Sequence, residues 1–341
     1  MTRLSVEDAH ALVARAHEAS NVSQANARAV ADALIGAELV GQGGHGLRRV
    51  AAYTAQARAG KVKGHAVPRA ERPRPGAVWV DAGHGFAYPA FALAIEELAR
   101  IAPEQGIAVA GVRRSHHAGV LGLFVEALAE RGLVALMVAN APAAIAPWGG
   151  RRPTFGTNPI AFACPVPGAL PIVADVSTSQ VARGKLMAAA QKGETIPEGW
   201  ALDADGNPTT DPKAGMAGTM APLGGATGGA KGVALALMVE VLAGPMIAGG
   251  LSRDASSFFD DAGGPPDVGQ TIIAVDPAAY GGTAALDRFA ALSALFEGDG
   301  EARLPGARRA ALRAQRQASG LDVDDDLFAA IDAIARGAVT L

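Results

Sequence analysis

Two side chains that could bind and protonate a small acid lie four positions apart in the chain. If a helix has begun by His45, then His45 and Arg49 project from the same face, one helical turn apart. A histidine can donate a proton near neutral pH, and a guanidinium can bind a carboxylate through two parallel hydrogen bonds. The pair suits a substrate with a carbonyl beside its carboxylate. The structural alternative is a capping histidine and a surface arginine.

A second pair of histidines follows an apolar segment. His116 and His117 come shortly after residues 106–112, which predict a strand, and two arginines and a serine lie between. A strand of an α/β sheet delivers such residues to a crevice at its carboxyl end. The clustered cations favour an anionic ligand. No Asp, Glu or Cys stands at ligand spacing nearby, so we predict no metal site.

Two glycine-rich patterns resemble nucleotide-binding motifs but lack their context. Gly41, Gly43 and Gly46 satisfy G-x-G-x-x-G, yet a predicted helix precedes them and no acidic residue follows at about 20 positions. Residues 224–232 lack the Gly-Lys-Ser/Thr ending of a phosphate loop. The sequence therefore predicts neither a Rossmann turn nor a nucleoside triphosphatase. It leaves a glycine loop with one cation, Lys231, at the mouth of a helix, where free N–H groups could help to hold an anion.

Composition excludes several other classes of protein. Thirty basic and 33 acidic residues give a net charge of −3, which argues against nucleic acid as a partner. Cys164 is the single cysteine, so the chain has no intrachain disulfide and fits a reducing compartment. Glu240 and Pro245 interrupt the most apolar stretch, and the N-terminus lacks the apolar centre of a signal peptide. We predict a cytoplasmic protein with no membrane span.

Hydrophobic spacing predicts three helices near the N-terminus, with a break near residues 20–23 and a third helix over 48–58. The proline-rich segment 62–75 reads as an extended surface connection and a domain boundary. Strand and helix signals then alternate, which predicts an α/β region. Residues 175–179 end a strand and place hydroxyls to cap a helix predicted over 178–191. Helical spacing returns at 284–295 and 308–318.

Taken in order, several segments resemble one family, the malate/L-lactate dehydrogenases that are distinct from the Rossmann-fold lactate and malate dehydrogenases. The family includes ureidoglycolate dehydrogenase, sulfolactate dehydrogenase and reductases of cyclic imino acids. The likeness runs from about residue 4 to 330, and its segments are HGLRR with Tyr53, SHHAG, FGTNPIAFACP, ADVSTSQVARGK, GWALDADGNPTTDP, AKGVALALMVEVLAG, IIAVDP and RLPGARR.

The resemblance implies an NAD- or NADP-dependent oxidoreductase that interconverts a small 2-hydroxy acid and a 2-oxo acid, acting as a homodimer. Reduction of cyclic imino acids (piperideine- or pyrroline-2-carboxylate) is the alternative. It also implies a non-Rossmann NAD(P)-binding α/β domain with a mixed sheet over residues 77–284. Residues 1–76 and about 285–341 would form a helical domain from both chain ends.

The resemblance also assigns roles by position. His45 would donate a proton, Arg49 would bind the substrate carboxylate and Thr157 would contact substrate. His117, rather than His116, aligns with the second functional histidine, and either His45 or His117 could be the acid. Residues expected to line the cofactor are His117, Asn140, Asp175, Val176, Ser177, Lys231, Arg303, Pro305, Gly306 and Arg308.

Two positions depart from the family pattern. Gly44 stands where the family usually has a serine or threonine that can hydrogen-bond the histidine, and the glycine loop before Lys231 is longer than usual. Gly44 motivates a further alternative, a non-catalytic relative that binds a nucleotide or small anion.

Overall fold

The computed structural model describes residues 1–296 and 300–338. The helices are α1 (Val6–Glu18), α2 (Gln24–Leu39), α3 (Val50–Arg58), α4 (Ala87–Gln105), α5 (Gly122–Ala129), α6 (Arg183–Lys192), α7 (Pro212–Ala217), α8 (Gly225–Ala243), α9 (Ala278–Ala294), α10 (Ala307–Ser319) and α11 (Asp325–Ala335). The strands are β1 (Thr2–Leu4), β2 (Arg69–Arg74), β3 (Ala77–Asp81), β4 (Ile107–Ser115), β5 (Val134–Ala139), β6 (Ile160–Cys164), β7 (Ile172–Val176), β8 (Ala201–Leu202), β9 (Pro208–Thr209), β10 (Thr219–Met220), β11 (Val268–Val275) and β12 (Leu321–Val323).

Seven strands form one mixed sheet in the order β2-β3-β4-β11-β5-β6-β7. β3 and β4 are parallel, and every other neighbouring pair is antiparallel. β11 lies in the centre, where Gln270 stands opposite Val112 on one side and Ala139 on the other. The arrangement confirms the predicted α/β class with a mixed sheet.

Helices cover both faces of the sheet, as the alternation of side chains along β5 requires. Ala135 and Met137 belong to the large core shared with α4 and α5, whereas Val138 packs with Val239 and Ala243 of α8. Successive side chains of a strand point to opposite faces, so α8 and the pair α4 and α5 lie on opposite sides. Both faces are therefore buried at the middle of the sheet.

The two chain ends lie together. β1 pairs with β12 in antiparallel register, and α1 contacts α2, α3 and α11. Ser5 and Ser23 cap α1 and α2, which confirms the predicted break between them. Val13 and Leu34 share one core with Ile272 of the sheet. The proposed division at residue 76 stays a prediction, and residues 297–299 and 339–341 of the C-terminal part lie outside the described residues.

Three local expectations are wrong. Residues 62–75 are more than a connection, because Arg69–Arg74 forms the edge strand β2. The hydroxyls after β7 cap no helix: α6 begins at Arg183, and Thr178 Oγ1 donates instead to the carbonyl of Thr157. α8 begins at Gly225, so Lys231 lies within a helix rather than at its mouth.

The segment Gly225–Ile247 is long and apolar enough to cross a membrane by length and composition, and it is partly buried within the fold. One side of this segment packs on β5 and β11. Its apolar character thus comes partly from its place over the sheet.

Candidate active site

The strand topology brings most of the predicted site residues to one edge of the sheet. Ser115 of β4 stands opposite Val268 at the start of β11, and the end of β5 meets the start of β6 and the end of β7 through the pairs Val138 with Ile160 and Ile160 with Val176. Three predicted residues come directly after these strands: His117 after β4, Asn140 after β5 and Ser177 after β7. Thr157 comes shortly before β6. Four strand spacings separate β4 from β7, about 19 Å at 4.8 Å each.

His45, Arg49 and His117 meet at the β4 end of this edge. The rings of His45 and His117 stack with centroids 5.1 Å apart and an interplanar angle of 19°. Arg49 Nε donates to the carbonyl of Gly44 at 2.8 Å, and its Nη1 is buried without a partner among residues 1–296 and 300–338. A buried guanidinium with an unused donor is prepared to receive an anion.

The turn that carries His45 and Arg49 is not the predicted α-helix. Gly43–His45 and Leu47–Arg49 are short 3-10 turns, and α3 begins only at Val50. Glu38 holds the turn by accepting from the N–H of Leu47 at 2.8 Å. A Cβ on Gly46 would lie 2.3 Å from the carboxylate of Glu38, so any larger residue there would displace the carboxylate that holds the turn. The pair converges because of this turn rather than through helical spacing.

His117 is oriented by two tyrosines. The Tyr53 hydroxyl lies 2.5 Å from His117 Nδ1 and 3.1 Å from the Tyr88 hydroxyl, and all three side chains are buried. One ring nitrogen of His117 is thereby engaged, which leaves Nε2 for a ligand. His45 Nδ1, by contrast, is buried with no partner in the described part of the chain.

His116 has a different environment from its neighbour. Its Nε2 lies 2.7 Å from Gln56 Oε1, and its carbonyl accepts from Gln270 at 3.2 Å. Its ring packs edge-on against Tyr53 and Phe86. His116 therefore points into the core, and only His117 faces His45.

Burial and one cation set the protonation of these histidines. Desolvation lowers the pKa of His45 to about 4, and it lowers the pKa of His117 well below its usual value. The charge of Arg49 is the second cause at both rings. Each histidine is thus neutral at pH 7 while Arg49 has no counter-ion among residues 1–296 and 300–338. A carboxylate bound to Arg49 would remove part of this repulsion and raise both pKa values.

Two aromatic side chains lie beside His117 and Arg49, and the sequence analysis did not predict them. The Phe258 ring lies 4.9 Å from the His117 ring, and the Phe259 ring lies 4.4 Å from Arg49 Cζ. The signal in the sequence was a pair of phenylalanines within a polar stretch, residues 256–261. Tyr88 was missed as well, because nothing local to it indicates a partner 35 positions away.

The β7 end of the edge carries the RLPGARR segment. Asp175 accepts from the N–H of Gly122 at 3.0 Å, and its carbonyl accepts from Arg309 at 3.0 Å; burial raises the pKa of its carboxyl. Gly306 precedes α10 with a positive φ of 93°. The N–H of Ala307 donates to the carbonyl of Leu304 at 3.1 Å, whereas the N–H groups of Arg308 and Arg309 have no acceptor in the described part of the chain and stay open to a ligand. Val176 is exposed beside them. This end is open and polar, unlike the β4 end.

The remaining predicted residues differ in what they can still bind. Asn140 is buried, with Nδ2 donating to Gly250 and Oδ1 accepting from Gly269. Thr157 uses its carbonyl to accept from Thr178. Arg303, Arg308 and Lys231 are exposed, and none of them forms an ion pair within the described residues. In that same part of the chain, no three His, Cys, Asp or Glu side chains are grouped to hold a metal ion.

Comparisons with known proteins agree over nearly the whole chain. The family described as Malate/L-lactate dehydrogenase matches residues 4–332. The chain is 48% identical to a (2R)-3-sulfolactate dehydrogenase (NADP(+)) of Chromohalobacter salexigens over 92% of each protein. It is 40% identical to a Δ1-pyrroline-2-carboxylate/Δ1-piperideine-2-carboxylate reductase of Pseudomonas aeruginosa, over 96% of this chain and 97% of that one.

A solved structure is similarly close. The Δ1-piperideine-2-carboxylate reductase from Pseudomonas syringae pvar. tomato superposes with a TM-score of 0.92 at 36% identity, covering 98% of this chain and 100% of that one.

Proposed function

This chain belongs to the malate/L-lactate dehydrogenase family, and from that premise we propose how its site performs an NAD(P)-dependent oxidation or reduction of a small carboxylate substrate. The substrate class that the site supports best is a 2-hydroxy acid and its 2-oxo counterpart. The observation that carries this proposal is the buried Nη1 of Arg49, which has no partner in the part of the chain that the structure describes, beside the stacked rings of His45 and His117.

Arg49 would hold the substrate carboxylate. Its Nε is fixed by Gly44, so Nη1 and Nη2 remain to form hydrogen bonds with a carboxylate. A carboxylate held there places the adjacent C2 oxygen close to the two imidazoles. The carboxylate also supplies the counter-ion that Arg49 lacks in the described part of the chain.

We assign the proton transfer to His117, with His45 as the other candidate. Tyr53 engages Nδ1 of His117 and is itself bonded to Tyr88, so the Nε2 side of the ring is held in one orientation. Neutralising Arg49 with the substrate carboxylate raises the pKa of His117 and lets it carry the proton that the C2 oxygen takes on reduction. His45 stacks on this ring and has no orienting partner among the described residues.

The β7 end fits a nicotinamide dinucleotide. The N–H groups of Arg308 and Arg309 at the start of α10 and the exposed side chains of Arg303 and Arg308 suit phosphates, while the exposed apolar Val176 suits a flat ring or ribose face. We propose that Asp175, Ser177, Pro305 and Gly306 line the same groove, that Asn140 and His117 continue it toward the substrate, and that Lys231 reaches it from α8. When bound, the cofactor supplies or accepts the hydride at C2.

Reduction of a cyclic imino acid is the second candidate, and a specific observation favours it. Phe258 and Phe259 form an apolar wall beside His117 and Arg49, which suits a carboxylate attached to an apolar ring. The Pseudomonas relatives are named for such substrates. The same Arg49 and His117 would serve, with the imine nitrogen taking the place of the C2 oxygen.

We also propose that the protein is a cytoplasmic homodimer whose chain ends form a helical domain beside the α/β domain. The outer side of α8 supports the dimer, because it exposes a continuous apolar strip of Leu235, Leu237, Met238 and Val241. Light scattering of the purified protein tests this: a mass of twice 34.3 kDa is expected, and a monomer would contradict it.

A substrate panel tests the main proposal. The purified protein is mixed with NADPH or NADH and with pyruvate, oxaloacetate, sulfopyruvate or Δ1-piperideine-2-carboxylate, and the absorbance of the reduced cofactor is followed. We expect turnover of a 2-oxo acid, or of the cyclic imine if the second candidate holds. Quenching of cofactor fluorescence without turnover of any substrate would indicate a binding protein instead.

A further inference from the structure

A buried lysine gathers three carbonyl groups of one loop. Lys61 follows α3, and its side chain is 0% exposed. Its Nζ donates to the carbonyls of Ser257, Asp260 and Ala262 at 2.8, 3.0 and 2.8 Å, and it lies 3.4 Å from Asp260 Oδ1. An ammonium has three donors and no acceptor, so these carbonyls use its full capacity.

The same loop has a second attachment that leads to the candidate site. Gln56 of α3 donates from Nε2 to the carbonyl of Asp260 at 2.9 Å, while its Oε1 lies 2.7 Å from His116 Nε2. Since His116 precedes His117, the loop and the histidine pair are tied to one helix. The loop of residues 256–262 therefore has a defined position relative to the site.

The loop places two aromatic rings on the groups that would bind and protonate the substrate. Phe258 is buried, with its ring 4.9 Å from that of His117. Phe259 is 38% exposed, yet its ring lies over the Arg49 guanidinium at 4.4 Å from Cζ. A ring over a guanidinium both attracts the cation and excludes water from one of its faces.

We propose that Lys61 is a positioning residue that fixes loop 256–262, so that Phe259 covers Arg49 and Phe258 closes on His117. The loop then forms the apolar wall that limits which carboxylates reach Arg49. Without the ammonium, the carbonyls of Ser257 and Ala262 would lose the donor that Lys61 supplies, and that of Asp260 would keep only Gln56. Each unmade hydrogen bond favours a different loop position. The part of the proposal that concerns substrates rests on the function proposed above, whereas the cover on Arg49 does not.

Chemical modification of Arg49 tests the cover without any substrate. The protein is treated with phenylglyoxal, and the peptide that contains Arg49 is quantified by mass spectrometry over time. We expect faster modification of Arg49 in both Phe259→Ala and Lys61→Met than in the unsubstituted protein. Lys63→Met is the matched control, because Lys63 is exposed two positions away and is expected to leave the rate unchanged.

The outcomes separate cleanly. An unchanged rate in Phe259→Ala would show that the ring does not cover Arg49, and an unchanged rate in a folded Lys61→Met would show that the lysine does not hold the loop. If Lys61→Met fails to fold, Asp260→Ala takes its place, since the exposed Asp260 carboxylate contacts both the ammonium and the N–H of Ala262. Asp260→Ala is expected to accelerate the modification of Arg49 less than Lys61→Met would. An unchanged rate in Asp260→Ala would then overturn the proposal.

Kinetics extend the test to the wall. With the best substrate of the panel, Phe259→Ala is expected to change KM by about twofold to fivefold, the range of a cation–π contact at a partly exposed site, while kcat changes less. Lys61→Met is expected to change KM in the same direction, and to add little in the Phe259→Ala background because both act through one ring. If the KM changes of the two substitutions were fully additive, Lys61 would not act through Phe259. If no substrate is turned over, the function is wrong, while the modification rates still decide the positioning role.

Discussion

Both ends of the active-site edge present arginines to a ligand, but the surroundings of these arginines differ. At the β4 end, Arg49 is 8% exposed, lies under Phe259 and has a buried Nη1 without a partner in the described part of the chain. At the β7 end, Arg303 and Arg308 are exposed to solvent beside the start of α10. The arginine of the β4 end is therefore buried, and those of the β7 end are exposed to solvent.

The contrast teaches where each charge is effective. A desolvated guanidinium interacts strongly with any anion that replaces its lost water, and it also suppresses protonation of the neighbouring imidazoles. Exposed arginines gain about 0.2–1 kcal/mol per ion pair, and salt screens that gain. We therefore expect the β4 end to determine chemistry and the β7 end to contribute cofactor affinity.

The largest expected effect is the loss of the proton donor at the β4 end. His117→Gln should lower kcat by about 10² to 10⁴, because a positioned general acid contributes that much, whereas KM for the carboxylate should change little. Stopped-flow or steady-state kinetics with the best substrate of the panel would measure it. His45→Gln is the matched variant; if it lowers kcat and His117→Gln does not, the roles of the two rings are reversed.

Removing the buried cation comes next. Arg49→Ala should lower kcat/KM by about tenfold to 150-fold, since a hydrogen bond to a charged group contributes about 1.5–3 kcal/mol. The loss should fall mainly on KM, and Arg49→Lys should restore only part of it because a lysine lacks the planar fork. Arg48→Ala, an exposed neighbour, is the control. An unchanged KM in Arg49→Ala would remove this residue from the substrate site.

Removing the charge of Arg49 should also change the titration of the histidines. Burial and, after it, the charge of Arg49 lower the pKa of His45 to about 4. Arg49→Gln should therefore raise this pKa, though not to the usual 6.5, because burial remains. NMR titration of the His45 ring protons measures the change without substrate. With the unsubstituted protein, binding of a carboxylate inhibitor such as oxamate should move the pKa in the same direction. A pKa that stays at its original value in both experiments would contradict the proposed repulsion.

The sequence predicted the local elements better than their assembly. Ser5 and Ser23 mark the starts of α1 and α2 because a cap is decided within four residues. The placement of β11 between β4 and β5 joins segments more than 130 positions apart, and no local pattern encodes such a pairing. The α/β class followed from alternation and the mixed sheet from the family resemblance, while the strand order followed from neither.

Two errors have definite physical causes. The glycines before Lys231 suggested a loop, yet Gly229 packs where a Cβ would lie 2.4 Å from Trp148, and Gly232 where it would lie 2.2 Å from the carbonyl of Leu223. Close packing requires glycine there and overrides its low helix propensity. The hydroxyls after β7 found loop carbonyls instead of helix N–H groups, an alternative equally available to serine and threonine.

The candidate site was predictable only in part, because local motifs can be read from the sequence and long-range contacts cannot. His45, Arg49 and His117 could be named from motifs, and the structure brings them together. The wall of Phe258 and Phe259 could not be, because it depends on Lys61, almost 200 positions earlier, binding carbonyls that the sequence does not display.

The smallest expected effect lies at the solvent-exposed β7 end. Arg308→Ala should raise KM for NADPH by about twofold to fivefold at low salt, the range of an exposed ion pair, and leave kcat unchanged. The difference between variant and unsubstituted protein should nearly vanish at about 1 M NaCl, where the screening length falls to about 3 Å. Arg28→Ala, which changes an exposed arginine on α2, serves as the control for a general change of surface charge.

Salt should leave the Arg49→Ala defect largely intact, because screening acts weakly on a buried pair. If high salt instead abolished the Arg49→Ala defect, or left that of Arg308→Ala unchanged, the two ends of the edge would not differ in solvation as the structure indicates.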